Sequence, residues 1–243
     1  MWLQNPKLWL DITTYCNAAC PQCHRTNPDT LEKADWLPLL QWDFETFKKA
    51  FPVPSAYQEF VICGTWGDPM MNKDIVKIIS FIADNSHTPI VVNTNGSLRT
   101  PEWWWRLGEA GGDQLTVIFD VDGIDQDMHS HYRQKTDLDV VLEHIEELSM
   151  TPASAQVSTV LFKHNQEYLG DISKMVKQRG VVKHVWWPSD RFGQFNNWKT
   201  TFMSNKVLEP ASSDKLGLWT DHKYQMEIDD CKGHIDFRRV LND

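Results

Sequence analysis

Three cysteines stand within eight residues in Cys16-Asn17-Ala18-Ala19-Cys20-Pro21-Gln22-Cys23. Thiolates are soft ligands, and such close spacing suits zinc or an iron–sulfur cluster. A structural zinc site takes four protein ligands, and so does a four-cysteine cluster site. Three cysteines on one loop therefore leave one metal position without a cysteine. An iron with an open position can bind a substrate or a second cofactor. A zinc site completed by the adjacent His24 is the competing reading of the same residues.

Further polar segments follow short apolar runs. Cys63-Gly64-Thr65-Trp66-Gly67-Asp68-Pro69 carries two glycines that permit close backbone approach, and Asp68-Pro69 sets a turn. Its exposed backbone groups suit a polar or zwitterionic small molecule. Asn93-Thr94-Asn95-Gly96 offers amide and hydroxyl groups. Asp120-Val121-Asp122-Gly123 is followed by His129, His131 and Arg133, and Ser158 lies in a later apolar run. Cys63 closes an apolar run and reads as an inert core thiol.

The elements that must position these groups are legible from periodicity. Strands are expected at Leu8 to Ile12, Glu59 to Cys63, Pro89 to Val92, Leu115 to Phe119, Ala155 to Leu161 and Lys183 to Trp187. Helices are expected at Asp43 to Phe51, Asn72 to Asn85 with Asn72 as N-cap, Asp137 to Met150 and Leu169 to Gly180, with Gly180 just beyond the last turn. Thr100-Pro101 opens another helix, which Gly111-Gly112 closes. Alternating strands and helices imply right-handed βαβ units and a mostly parallel α/β sheet. Periodicity leaves open whether that sheet closes or stays open, but either way ligands sit at the strand C-termini. The alternation stops near residue 188. We expect a core domain over residues 1–188 and a short C-terminal extension over 189–243 packed on it.

Composition narrows the function classes. The 243-residue chain carries 24 basic and 33 acidic residues, a net charge of −9, which gives no global attraction to nucleic acid or anionic membranes. No apolar run approaches the roughly 20 residues of a membrane helix. The five cysteines are clustered rather than framework-like, and no secretory signal is visible, so a reducing cytoplasm is expected. Trp103, Trp104 and Trp105 cannot all face one core.

The ordered set of segments resembles the radical S-adenosylmethionine (radical SAM) superfamily. Cys16, Cys20 and Cys23 match its cysteine motif after strand one. Gly64-Thr65-Trp66-Gly67-Asp68-Pro69 is similar to its Gly-Gly-Glu-Pro motif. Asn93-Thr94-Asn95-Gly96 is similar to its Thr-Asn-Gly turn. Asp120-Val121-Asp122-Gly123 with His129 and Arg133 is similar to a Ser-x-Asp-Gly…His…Arg segment of peptide-modifying and molybdopterin-type members. The resemblance spans about residues 8–188 and implies a partial (βα)6 barrel. It also implies a [4Fe–4S] cluster on the three cysteines, with S-adenosylmethionine on the fourth iron. Reductive cleavage would then give a 5′-deoxyadenosyl radical that takes hydrogen from a peptide or small-molecule substrate, with flavodoxin or ferredoxin as electron donor.

By the same resemblance, the backbone of Gly64, Thr65, Trp66, Gly67 and Asp68 would receive the methionine amino group. Asp120, Arg133 and Ser158 would serve the carboxylate and ribose, with Asn93 and Asn95 in support. The chain departs from the family pattern in two places. The second motif is one residue longer, with Asp68 in place of Glu, and Asp120 replaces Ser. An anion would repel a carboxylate, so Asp120 is expected at the ribose or in a structural role, and Arg133 at the carboxylate. A short deazapurine-type synthase, a glycyl-radical activase and a zinc-stabilised binding module are the alternative functions. The lone Cys231 cannot hold a second cluster.

Overall fold

The structure, a computed structural model, describes residues 6–192, 200–202 and 206–212. Cys231 and Trp198 lie outside the described residues. Six strands form one sheet in the order β1 (Lys7–Leu10), β2 (Glu59–Ile62), β3 (Ile90–Thr94), β4 (Leu115–Asp120), β5 (Ser154–Leu161) and β6 (Lys183–Pro188). Every neighbouring pair is parallel. Each expected strand is present to within two residues at either end. Each crossover carries a helix: α1 (Phe44–Ala50), α2 (Ile75–Asn85), α3 (Pro101–Gly111), α4 (Gln126–Tyr132) with α5 (Leu138–Ser149), and α6 (Leu169–Lys177).

Strand alternation splits the side chains between two environments. Phe60, Ile62, Ile90, Val92, Val117, Phe119, Ala155 and Val157 face the helices in one large core with Ile78, Trp104, Val141 and Ile172. The opposite face begins as a small apolar floor of Trp9, Val61, Val91 and Ile118. One step further along the same face come Cys63, Asn93, Asp120 and Ser158. The polar residues singled out by sequence therefore share one face at one end of the sheet.

Local signals explain most boundaries. Asp43 and Asp137 cap α1 and α5 through their carboxylates, which accept from Thr46 N and Val140 N. Thr100 Oγ1 accepts from Trp103 N, and Pro101 opens α3 as expected. Of the three tryptophans, Trp104 is buried and Trp105 is exposed.

Asn72 is not the N-cap of α2, which begins at Ile75 after Asp74. Its amide instead donates to Ile12 O and Trp42 O, both at 2.9 Å, tying the end of β1 to the chain before α1. Helix α6 ends at Lys177, and the chain turns through Gly180 at φ +89°. Two elements were not anticipated. One is the seven-residue α4. The other is an antiparallel hairpin of β7 (Thr200–Phe202) and β8 (Lys206–Leu208). Beyond the hairpin, Pro210 bridges to Phe162, and Leu208 is fully buried against the end of β5. No described helix is long and apolar enough to cross a membrane.

Two histidines brace this frame and should make it acid-sensitive. His184 bonds Thr159 Oγ1 at 2.8 Å and Ser173 Oγ at 2.6 Å, and burial pushes its pKa down to about 4. His129 accepts from Asp122 N at 3.2 Å and meets Thr136 Oγ1 at 3.0 Å, and burial pushes it down to about 3. A histidine kept neutral in the fold binds its proton more readily when unfolded, so stability is lost as pH falls below the unfolded value near 6.5. Asp68 acts oppositely, because burial raises its pKa to about 6 and favours the fold as it protonates. His144 and His164 are pushed down by burial as well, and Asp11 and Asp122 are pushed up like Asp68, so four histidines stand against three carboxylates and leave a net loss. Melting of the cluster-free protein should drop between pH 6.5 and 4, by up to about 1.4 kcal/mol per pH unit for each unbalanced proton. A melting temperature flat over that range would contradict this.

Candidate functional site

The cysteine loop leaves β1 and crosses the C-terminal end of the sheet. Cys20 is buried, while Cys16 and Cys23 are partly buried. A second apolar cluster surrounds the loop: Ala18, Ala19, Leu31, Tyr132, Phe162 and Leu208. Such a shell restricts water around a metal centre. Two N–H groups approach the sulfurs, Arg133 Nη1 at 3.9 Å from Cys20 Sγ and Asn95 Nδ2 at 3.8 Å from Cys16 Sγ. Burial raises the Cys20 thiol to about 11 and the Cys16 thiol further, while the Arg133 and Arg25 charges work the other way.

The segment after β2 is fastened to this loop through the backbone. Asp68 N donates to Tyr15 O at 2.7 Å. A Cβ at Gly67 would stand 2.3 Å from Thr13 O and 2.7 Å from Tyr15 O, so only glycine allows the approach. Gly64 and Thr65 are exposed and Trp66 half-buried. Trp66 N donates to Asp11 Oδ1 at 3.1 Å, and the Trp66 ring packs edge-on against the exposed Trp36.

Asp68 itself turns inward. Its carboxylate accepts from Thr94 Oγ1 at 2.9 Å, Asn95 N at 2.8 Å, Asn95 Nδ2 at 2.6 Å and Met70 N at 2.9 Å. Asn95 also donates to Asn17 Oδ1 at 2.9 Å. Asp68 and Asn95 thus join three strand-end segments to one another, and both are buried. Asn93 is half-buried on the polar face. Gly96, at φ +73°, leaves room for Phe119, and its carbonyl meets His144 Nδ1 at 2.8 Å.

At the end of β4, Arg133 meets Asp120 Oδ2 at 2.9 Å and donates through Nε to Asp122 Oδ2 at 2.5 Å. Burial opposes the guanidinium charge, but the two carboxylates outweigh it and hold its pKa well above the usual value. Ser158 Oγ donates to Asp120 Oδ1 at 2.7 Å, and Asp122 Oδ1 accepts from Val160 N at 2.6 Å. The expectation of Arg133 as a fork for a ligand carboxylate meets a different arrangement. Nε and Nη1 are committed to Asp120 and Asp122, and the anion at Asp120 is neutralised where it stands.

These residues fit a cluster better than a single ion. Among the described residues, no group of three His, Cys, Asp or Glu side chains is gathered closely enough to hold one metal ion. His24 is exposed, with its ring 6.4 Å from that of Trp66. A tetrahedral zinc needs its ligands to converge, whereas each cluster cysteine binds a different iron.

Sequence reasoning missed three members of the site. Asp11 backs the segment after β2, and Asp122 and the buried Arg25 lie beside the cysteine loop. Asp122 was legible within Asp120-Val121-Asp122-Gly123; no sequence signal marks Arg25.

A family model described as the radical SAM superfamily matches residues 10–176. The chain is 23% identical over 175 residues to an AdoMet-dependent heme synthase of Methanosarcina barkeri, covering 72% of this chain and 48% of that protein. It is 22% identical over 176 residues to the mycofactocin maturase MftC of Mycolicibacterium smegmatis, covering 72% of this chain and 42% of that one. Among solved structures, Streptococcus suis SuiB bound to precursor peptide SuiA shares the fold at a TM-score of 0.61 and 12% identity, over 75% of this chain and 39% of that one. The chain spans about half the length of the curated relatives it matches. The six-stranded parallel sheet is the partial barrel these structures share.

Proposed function

The chain belongs to the radical SAM superfamily, and on that premise we propose that it is an enzyme with a cluster on its cysteine loop, acting on a peptide or small-molecule substrate. Cys16, Cys20 and Cys23 would hold a [4Fe–4S] cluster, with S-adenosylmethionine at the remaining iron. Together they would supply reductive formation of a 5′-deoxyadenosyl radical that takes hydrogen from substrate. The observation that carries this reading is the convergence of three strand-end segments on the cysteine loop, joined by Asp68 N to Tyr15 O, Asn95 to Asn17 and Arg133 to Cys20.

The side chains divide the work. The exposed backbone of Gly64 and Thr65 presents carbonyls for an ammonium group, while the half-buried Trp66 carbonyl accepts from Arg25 Nε at 3.3 Å. Gly67 brings that backbone against the cysteine loop, and Asp68 and Asn95 hold it there without reaching outward. Asp120, held by the buried Ser158 hydroxyl, presents a carboxylate suited to ribose hydroxyls, and Asn93 adds an amide on the same face. Arg133 fixes Asp120 and Asp122 and faces a cysteine sulfur. The apolar shell of Ala18, Ala19, Tyr132 and Phe162 limits water at the reacting centre.

The substrate class stays a peptide or a small molecule: SuiB, which shares the fold, is bound to a precursor peptide, whereas the curated relatives include a heme synthase. Residues 1–188 form the catalytic core in this reading, with 189–243 as the extension. The free thiols suit a reducing cytoplasm, with flavodoxin or ferredoxin as electron donor. Anaerobically reconstituted protein should be brown and, with dithionite and S-adenosylmethionine, should release 5′-deoxyadenosine. A colourless protein without iron, or an iron-loaded one that yields no 5′-deoxyadenosine, would defeat the proposal.

A further inference from the structure

Two arginines lie beside the cysteine loop, and their electrostatic situations differ. Arg133 comes within 3.9 Å of Cys20 Sγ. Its charge is already met by Asp120 at 2.9 Å and Asp122 at 2.5 Å, so the trio carries a net negative charge. Arg25 is 6% exposed. Its hydrogen bonds among the described residues all go to backbone carbonyls: Nε to Trp66 O at 3.3 Å, Nη1 to Ala18 O at 3.4 Å and Nη2 to Thr14 O at 3.3 Å. None of the ion pairs among the described residues includes it. A guanidinium cannot shed its proton in a protein, so this is a permanent buried charge with no carboxylate partner among the described residues. Burial of that kind is costly unless an anion offsets it.

Loading would turn the loop cysteines into thiolates, and with three thiolates the loaded loop carries a net negative charge that can offset the Arg25 cation. We propose that Arg25 is the counter-cation of the loaded cysteine loop, offsetting its thiolate charge and raising the reduction potential of the cluster it holds. This rests on the cluster reading above. Three thiolates outweigh the positive charge of a cluster core, and reduction adds a further electron. A fixed cation nearby stabilises the reduced form more than the oxidised one. Arg133 cannot do this to the same extent, because two carboxylates cancel its field. Arg25 also spans the cysteine loop and Trp66, so the same side chain holds the loop to the segment after β2.

The two roles separate by substitution. Arg25→Met removes the charge, whereas Arg25→Lys keeps the charge and removes the fork. Reconstituted wild type and both variants would be titrated with a reductant, following the reduced cluster by electron paramagnetic resonance. The midpoint of Arg25→Met should move to a more negative potential, and that of Arg25→Lys should stay near wild type. Equal midpoints in wild type and Arg25→Met, or equal shifts in both variants, would overturn the proposal. If Arg25→Met takes up no iron while Arg25→Lys does, the need for a cation is supported. If neither does while both apoproteins melt as wild type does, the fork alone matters and the proposal fails. Failure of the cluster reading itself looks different, because wild-type protein would then take up no iron.

Discussion

Cys20→Ala is expected to leave the protein with background iron and background 5′-deoxyadenosine. Cys20 is the central cysteine of the loop and the most buried of the three, with its sulfur facing Arg133 at 3.9 Å. Removing it leaves two thiolates, and the adjacent His24 is exposed, with its ring 6.4 Å from that of Trp66. The fold should survive. One sulfur lost from a small apolar cluster typically costs roughly 1 kcal/mol, against several for a broken buried ion pair, and the Arg133 pairs with Asp120 and Asp122 remain. The apoprotein should therefore melt close to wild type while iron content and the absorbance near 400 nm vanish. Cys63→Ala is the internal comparison. That thiol donates to Leu10 O at 3.4 Å and lies outside the three-cysteine motif, and its loss should leave iron content unchanged. Wild-type iron and product in Cys20→Ala would refute the assignment of the loop.

Apolar runs such as Phe60-Val61-Ile62 and Val157 to Leu161 marked the strands because both faces of a parallel sheet are covered. The motifs after them were legible because each carries glycine, amide or thiol groups that a plain βα turn does not need. The direction in which these groups point was not legible. Asp68 reads as a turn former and a backbone contact, and only in space are Thr94 and Asn95 seen to take its carboxylate. Asn72 reads as a helix cap until its amide is found tying Ile12 to Trp42. Helix α4 lacks an apolar stripe, because its buried residues are His129 and Tyr132, so neither periodicity nor propensity marks it. Arg25 follows the same logic: a buried cation held by carbonyls leaves no pattern in the chain, only in space.

Gly67→Ala is expected to uncouple the cysteine loop from the segment after β2 while leaving both sequence motifs otherwise intact. The added Cβ would fall 2.3 Å from Thr13 O, 2.7 Å from Tyr15 O and 2.8 Å from Thr13 C. All three are backbone atoms, which cannot rotate away as a side chain can. The backbone must separate instead, and the first bond to stretch is Asp68 N to Tyr15 O at 2.7 Å. Asp68 would then shift against Thr94 and against Asn95, which also holds Asn17. Overpacking of this kind typically costs about 1–3 kcal/mol, and we expect the upper end because no flexible atom can yield. Gly170→Ala provides the contrast. It lies exposed in α6 with nothing within 4 Å of its Cβ position, and alanine there should stabilise by roughly 0.5–1 kcal/mol. The functional consequence goes beyond stability. Even where Gly67→Ala still folds and loads iron, the displaced Gly64 to Trp66 backbone should bind S-adenosylmethionine at least tenfold more weakly, which corresponds to about 1.4 kcal/mol. Calorimetric titration of the loaded variant measures this directly. Unchanged affinity and unchanged melting would mean that the close approach of these two backbones does not build the site.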